Sequence, residues 1–154
     1  MLNEFLTRVK SRVCPGGANL VNIFKQEPSF KDFGQQPFSI GENTVDEYKI
    51  IENDNYIYYG EVRKDDPSKI LGKGIIVLKS RCELFEGWHK NDHNVTGMGR
   101  WINGLSSKIY IGEFSENKSH GYGELRMSNG SRYKGAFMYD KYKGLGTYYF
   151  ADGR

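Results

Sequence analysis

Four side chains in one stretch of this 154-residue chain are of types that bind metal ions: Cys82, His89, Asp92 and His93. Thiolate, imidazole and carboxylate are the donors zinc takes. Their spacing, however, puts them in a strand and its following loop rather than on one helix face. The expectation is solvated loop polars and no metal. His120, just before a glycine pair, reads as a loop residue bonding to the backbone. The Gly-x-Gly pairs are not phosphate loops, since none precedes a Lys-Ser/Thr. No nucleophile elbow occurs, and a dinucleotide fingerprint needs its glycines between a strand and a helix. The residues thus predict no catalytic, cofactor or metal site, and a binding protein rather than an enzyme.

The glycines follow a different rule. Tyr110-x-Gly112 is followed by Gly121-x-Gly123 and then Asn129-Gly130; the series restarts at Tyr133 with Gly135, Gly144, Gly146 and Asp152-Gly153. The period, from Gly112 to Gly135, is 23 residues, and such a repeat decides the fold. Two looser units precede these, one with Tyr58, Gly60, Gly72 and Gly74, the next with Phe85, Gly87, Gly97, Gly99 and Asn103-Gly104. Unit boundaries are set at 58–84, 85–109, 110–132 and 133–154, with a decayed half-repeat over 46–57 acting as a cap.

Because alternate strand residues share a face, Tyr110, Gly112 and Phe114 point one way and Ile111 and Glu113 the other. Glycine costs strand stability, but a ring lying flat over a neighbouring glycine covers its backbone and offsets that cost. Asn103-Gly104, Asn129-Gly130 and Asp152-Gly153 are expected to form two-residue hairpin turns, with longer loops such as Glu116 to His120 inside each unit. The fold expected is all-β: a single-layer antiparallel β-meander ribbon of repeated hairpins. Tyr58, Gly60, Phe85, Gly87, Tyr110, Gly112, Gly121, Gly123, Tyr133, Gly135, Gly144 and Gly146 are its structural residues.

This pattern resembles the MORN (membrane occupation and recognition nexus) repeat: aromatic-x-Gly-x-aromatic, a polar loop, Gly-x-Gly, then Asp or Asn before Gly. The resemblance covers residues 58 to 153 and is closest in the last two units. Unit two departs from it at Trp88 and in the stretch after Gly104; unit one lacks a turn glycine at Arg81. The resemblance implies binding rather than chemistry, since such repeats occur in structural subunits of cilia, cytoskeletal scaffolds and membrane junctions, and as attachments to enzymes.

Residues 1 to 45 lie outside the pattern and are expected to be a mostly irregular arm. Leu2, Phe5, Leu6, Val9 and Val13 suit a short helix over 3–13, capped by Asn3 and ended by Pro15-Gly16-Gly17. Residues 14 to 45 show no period and read as an extended segment lying along a surface. No run of 18 apolar residues exists, and residues 1 to 30 lack a signal-peptide block. Cys14 and Cys82 are too few for a disulfide framework, so both are read as reduced in an intracellular protein. Residues 1–57 hold six basic and eight acidic groups, a net −2; residues 58–154 hold sixteen and eleven, a net +5. No basic cluster marks a nucleic-acid partner.

With the glycine-aromatic face taken as structural, the other face is where partners would bind. It offers Tyr59, Glu61, Trp88, Arg100, Ile111, Glu113, Tyr122, Glu124, Arg126, Met138 and Tyr149, several of them of interface-anchoring types. The alternative is that some of these pack under the N-terminal arm. The strand Thr147 to Phe150 would be an edge, either continued by more repeats or paired with a partner or second copy. The function expected is that of a non-enzymatic scaffold or structural subunit, bound to other proteins in a cytoskeletal or ciliary complex. The alternatives are a module that binds anionic phospholipid weakly, or a regulatory piece of a larger enzyme.

Overall fold

The computed structural model describes residues 1–13, 15–26, 37, 48–91 and 94–153. Nine antiparallel strands follow one another in a single open sheet, each paired with its sequence neighbour. They are β1 (Lys49–Glu52), β2 (Tyr56–Val62), β3 (Ile70–Leu78), β4 (Glu83–Asn91), β5 (Asn94–Asn103), β6 (Ile109–Ser115), β7 (Lys118–Arg126), β8 (Arg132–Met138) and β9 (Lys141–Tyr149). The expected meander is present. In the arm before it two helices, α1 (Leu2–Arg12) and α2 (Gly17–Gln26), pack on the sheet.

α1 begins without a side-chain cap, so Asn3 does not play that part. Its ends are favoured instead by Glu4 in the first turn and Lys10 and Arg12 in the last, opposite in sign to the helix dipole. Over Gly17–Gln26, α2 stands where the sequence predicts part of an extended segment. Gly17, Leu20, Val21 and Phe24 recur at three and four residues and are its buried stripe. A side chain at Gly17 would collide with the Val13 Cβ at 3.1 Å, so this glycine lets the two helices touch. Cys14 and most of 27–47 lie outside the described residues.

Each face of the sheet has its own core. On one, Phe5, Val9, Val13, Leu20 and Phe24 of the helices meet Ile57, Ile75, Val77, Leu84, Ile102 and Ile109 of the strands. Burying each such side chain is worth about 1.5–3 kcal/mol, which makes the helices part of the fold. On the other face the rings of Tyr58, Phe85, Tyr110, Phe114, Tyr133 and Phe137 pack together. Tyr110, Phe114 and Phe137 meet edge to face at 5.0 Å, a favoured geometry for ring quadrupoles.

The glycines align across the sheet: Gly60 pairs with Gly74 and Gly74 with Gly87, and the row Gly99, Gly112, Gly123, Gly135, Gly146 runs from β5 to β9. A β-carbon on Gly74, Gly123 or Gly146 would stand 2.6, 2.5 or 2.6 Å from ring Cε2 of Tyr58, Tyr110 or Tyr133. The rings do lie on the glycines. Each tyrosine hydroxyl then donates to the carbonyl three residues on: Tyr58 to Glu61 at 2.6 Å, Tyr110 to Glu113 at 2.8 Å, Tyr133 to Ala136 at 3.4 Å. Those three carbonyls sit where the register shifts, between Gly60 and Val62, Gly112 and Phe114, and Gly135 and Phe137. A bulge leaves a backbone group off the ladder, and the phenol reaches it.

The turns fall the other way round from expectation. The tight two-residue turns are Glu116-Asn117 and Tyr139-Asp140, inside units three and four, with φ of 49° and 68°, then 47° and 68°. Positive φ at both positions gives the hairpin its matching twist. Asn129-Gly130 instead belongs to a five-residue connection, Met127 to Ser131, closed by Met127 N–H to the Ser131 carbonyl at 2.9 Å. There Asn129 Oδ1 accepts from the Ser131 N–H at 2.9 Å, and Asn103 Oδ1 accepts from Leu105 and Ser106 in the same way. The asparagines act as side-chain acceptors that fold the loop. Gly104 is small for another reason: a side chain there would strike the Gly16 carbonyl at 2.8 Å and displace α2.

Candidate functional site

The helices decide which part of the sheet is open. α1 lies against β2 and α2 against β5. Glu52 on β1 receives Arg8 at 3.3 Å, Arg12 and Lys79 at 2.9 Å. Partial burial works against its charge, but the Lys79 hydrogen bond and the charges of Lys79, Arg12 and Arg8 hold its carboxyl below the ordinary range. Asn19 of α2 donates to the Gly104 carbonyl at 2.8 Å and to Ser107 Oγ at 3.0 Å. The cover is thus fixed at both ends.

The eleven residues expected to meet partners therefore divide. Tyr59 is half-buried, 5.7 Å from the Phe5 ring, and Ile111 packs on the helical core. Trp88 is buried, with the Lys73 ammonium 5.3 Å above its ring. Arg100 is buried with Glu86 at 2.9 Å, its guanidinium 5.3 Å from the Phe24 ring. Glu61 and Glu113 work inside the ribbon, accepting the N–H of Lys73 at 2.7 Å and of Tyr122 at 2.6 Å. These six are parts of the fold. Each carboxylate faces the first glycine of a Gly-x-Gly pair, Gly72 and Gly121, where φ is 110° and 101°.

Tyr122, Glu124, Arg126, Met138 and Tyr149 remain accessible. Register puts them with residues the sequence reading did not single out. Ile109 of the helical core pairs with Arg126, Arg126 with Arg132, and Arg132 with Tyr149. Ile111 pairs with Glu124, Glu124 with Lys134, and Lys134 with Thr147. Paired residues share a face, so β7 to β9 continue the helix-covered face beyond the helices. Tyr122 is 71% exposed and Leu145 91%. The Arg132 guanidinium is 3.1 Å from Glu124 and 4.2 Å from the Tyr149 ring centroid, a cation–π arrangement. Alternation alone, Tyr133-Lys134-Gly135, could have pointed to Lys134.

Of the four metal candidates, Cys82 and His89 fall among the described residues. His89 is not a solvated loop residue: it is buried in β4, donates from Nε2 to the Gly74 carbonyl at 2.9 Å, and stands edge-on to Tyr58. Asp92 and His93 lie outside the described residues. Cys82 is buried. His120 is in strand β7, its ring 4.7 Å from that of Tyr139. Burial lowers the His89 pKa to about 4, against the opposing Gly74 hydrogen bond. The unfolded chain, with an ordinary imidazole, binds this proton first, so stability falls as pH drops from about 6.5 to 4. Between pH 7 and 5.5 the loss expected is about 1 kcal/mol. Urea titrations at both pH values should show this loss in the native chain and a flat response in His89→Gln. An equal slope in both would exclude His89 as its source.

The aromatic face holds a groove of about 370 Å³ lined by Phe85, Trp101, Tyr110, Phe114, Leu125 and Phe137. Its walls are the rings that build the repeat.

No curated protein matches the chain. Two segments do match a known repeat family: residues 110–132 and 133–153 each correspond to one MORN repeat. Those are the two units in which the tight hairpin turn, the ring on the glycine and the bulge-capping hydroxyl all recur, and over residues 110–153 the chain carries two MORN repeats.

Proposed function

We infer that the chain is a non-enzymatic scaffold that holds a protein partner on the open face of β7 to β9. MORN repeats are generally protein- or membrane-binding modules. The observation that carries the reading is the division of one sheet face. Helices seal it from β1 to β6, and beyond them Tyr122, Arg126, Arg132, Lys134 and Tyr149 lie on the open part. Tyrosine and arginine are the side chains that anchor interfaces. A structural subunit of an intracellular cytoskeletal or ciliary assembly is the setting this favours. A photo-crosslinker at Tyr122 or Lys134 should capture the same protein in cells, while one at the covered Tyr59 should not. Equal capture from Tyr59 would sink the assignment of the face.

A membrane reading has one observation in its favour. Arg126, Arg132 and Lys134 share this face with Glu124 as their acidic neighbour, and Lys143 reaches Met138 Sδ at 3.1 Å beside them. Each basic group near an anionic bilayer contributes about 1 kcal/mol. Four give about 4 kcal/mol before the acidic residue is subtracted, which is a weak attachment. Flotation with phosphatidylserine vesicles at low and physiological salt tests it. Binding that survives at physiological salt and is lost in Arg126→Glu/Arg132→Glu would move this reading ahead of the first.

A further inference from the structure

We propose that the face of β7 and β8 takes an amphipathic helix of a protein partner, seated beside α2 and acidic along its flank. This rests on the reading of that face as a protein-binding surface, and names what the partner presents there. β7 and β8 are each paired on both sides, with β6, with one another and with β9. Their ladder groups are used within the sheet, so a partner cannot dock here by adding a strand. An occupant of this face has to satisfy its own backbone groups, as a helix does.

The chain already covers this sheet with helices. α1 lies against β2 and α2 against β5. β7 is two strands beyond β5, which is about 10 Å, and packed helices stand about 8–10 Å apart. A third helix beside α2 therefore falls on β7. The seam is apolar and unfinished: Ile23 of α2 and Ile111 of β6 pack on the helical core yet stay only partly buried. Asn19, one turn before Ile23, bonds to Gly104 and Ser107 between β5 and β6, so this flank of α2 looks toward β6. Beyond the seam, Tyr122 pairs with Ala136 and is 71% exposed. Ile111, Tyr122 and Ala136 thus offer a floor that the apolar stripe of a helix can cover.

Charge sets the polar side of the occupant. One row across the sheet starts at Glu52 on β1, runs through aliphatic side chains from Ile57 to Ile109, and reaches Arg126 and Arg132. At its first end the sheet supplies the carboxylate and the helix the cations, since Glu52 receives Arg8 and Arg12 of α1. At β7 and β8 the signs are exchanged. Arg126, Arg132 and Lys134 stand around Glu124, which is 3.6 Å from Arg126 and 3.1 Å from Arg132 and pairs with Lys134. Three cations against one carboxylate leave this patch a net +2. A helix seated here is matched by carboxylates where α1 carries arginines, and lysines in their place are repelled.

The test is fluorescence anisotropy on the full chain with a synthetic helix-forming peptide, leucines at three- and four-residue spacing and glutamates on the flank. One control peptide has lysines for the glutamates, and another has the same residues in scrambled order. The glutamate peptide should bind more tightly than either control by about tenfold or more. Arg132→Glu/Lys134→Glu should reverse the preference, so that the lysine peptide binds better. Arg132 and Lys134 are exposed, so folding should be unchanged by circular dichroism. If the pair unfolds the chain, Arg132→Gln/Lys134→Gln replaces it and should weaken the glutamate peptide by about threefold or more. No binding, equal binding of all three peptides, or a preference that the variant leaves unmoved overturns the helix. A chain that ignores the glutamate peptide but floats with phosphatidylserine vesicles gives the face to lipid and overturns it too. Photo-crosslinking separates this proposal from the reading beneath it. The segment captured in cells from Tyr122 and Lys134, mapped by mass spectrometry, should be linked at residues three or four apart with acidic neighbours. A basic segment, or one linked at every second residue, overturns the helix and leaves the protein-binding face standing. No capture at all sinks both.

Discussion

Gly123→Ala should lower the unfolding free energy by about 3 kcal/mol or more, although it adds one methyl group to a strand that would ordinarily welcome it. The reason is the Tyr110 ring, whose Cε2 would stand 2.5 Å from the new carbon. The ring cannot step aside cheaply. Phe114 and Phe137 hold it edge to face at 5.0 Å on each side, and its hydroxyl is anchored on the Glu113 carbonyl at 2.8 Å. Burial and the neighbouring Glu113 and Asp140 charges keep that phenol protonated well past its ordinary range, so the anchor persists at any working pH. Two comparisons isolate the mechanism. Gly144→Ala meets nothing within 4 Å and carries only the left-handed backbone cost at φ 65°, about 1–2 kcal/mol. In a Tyr110→Ala background, Gly123→Ala should cost much less than in the native chain, a coupling that a double-mutant cycle in urea reads directly. Equal costs at Gly123 and Gly144, or strict additivity with Tyr110→Ala, would mean that the glycine serves backbone freedom and not the ring.

The same glycine shows how far the sequence could be read. Spacing and parity were enough for the meander and the ring-on-glycine face, because a repeat states its geometry several times over. What escaped was information carried only once. Leu20, Val21 and Phe24 form a helical stripe, but Pro15, Gly16 and Gly17 just before it read as the start of an irregular arm. Packing of this face under the arm was one of two alternatives, and without α2 nothing singled out Arg100, which Phe24 covers. The turns were assigned from Asn-Gly, the strongest local signal, yet Glu116-Asn117 and Tyr139-Asp140 took the left-handed positions. There the cross-hairpin bonds from Val95 N–H to Asn117 Oδ1 and from Ser119 N–H to Asp140 Oδ1, both at 2.7 Å, reward an acceptor side chain more than a glycine. The open face of β7 to β9 was half legible: Tyr122, Glu124, Arg126, Met138 and Tyr149 were named from alternation, while Arg132 and Lys134, on the same alternation, were passed over.

Glu86→Ala should destabilise the chain by about 3–5 kcal/mol, the other large effect expected. Glu86 and Arg100 are directly paired across β4 and β5, 2.9 Å apart and nearly inaccessible, with Phe24 of α2 over the guanidinium. Removing charges from water is expensive, and mutual attraction repays it only while both partners are present. Truncating the carboxylate takes this counter-charge away from a buried guanidinium beneath α2, and arginine does not shed its proton to escape. The cheapest response is for water to enter, which means lifting α2 from β5 and exposing the helical core around Leu20 and Ile102. Amide exchange in α2 should therefore accelerate more in Glu86→Ala than exchange in α1, which Glu52 holds through Arg8 and Arg12. Replacing both partners by apolar groups of similar volume, Glu86→Leu/Arg100→Met, should recover most of the loss, since neither charge of this pair then remains to be solvated. A cost below 1 kcal/mol for Glu86→Ala, with α2 exchange unchanged, would show that the cover does not depend on this pair.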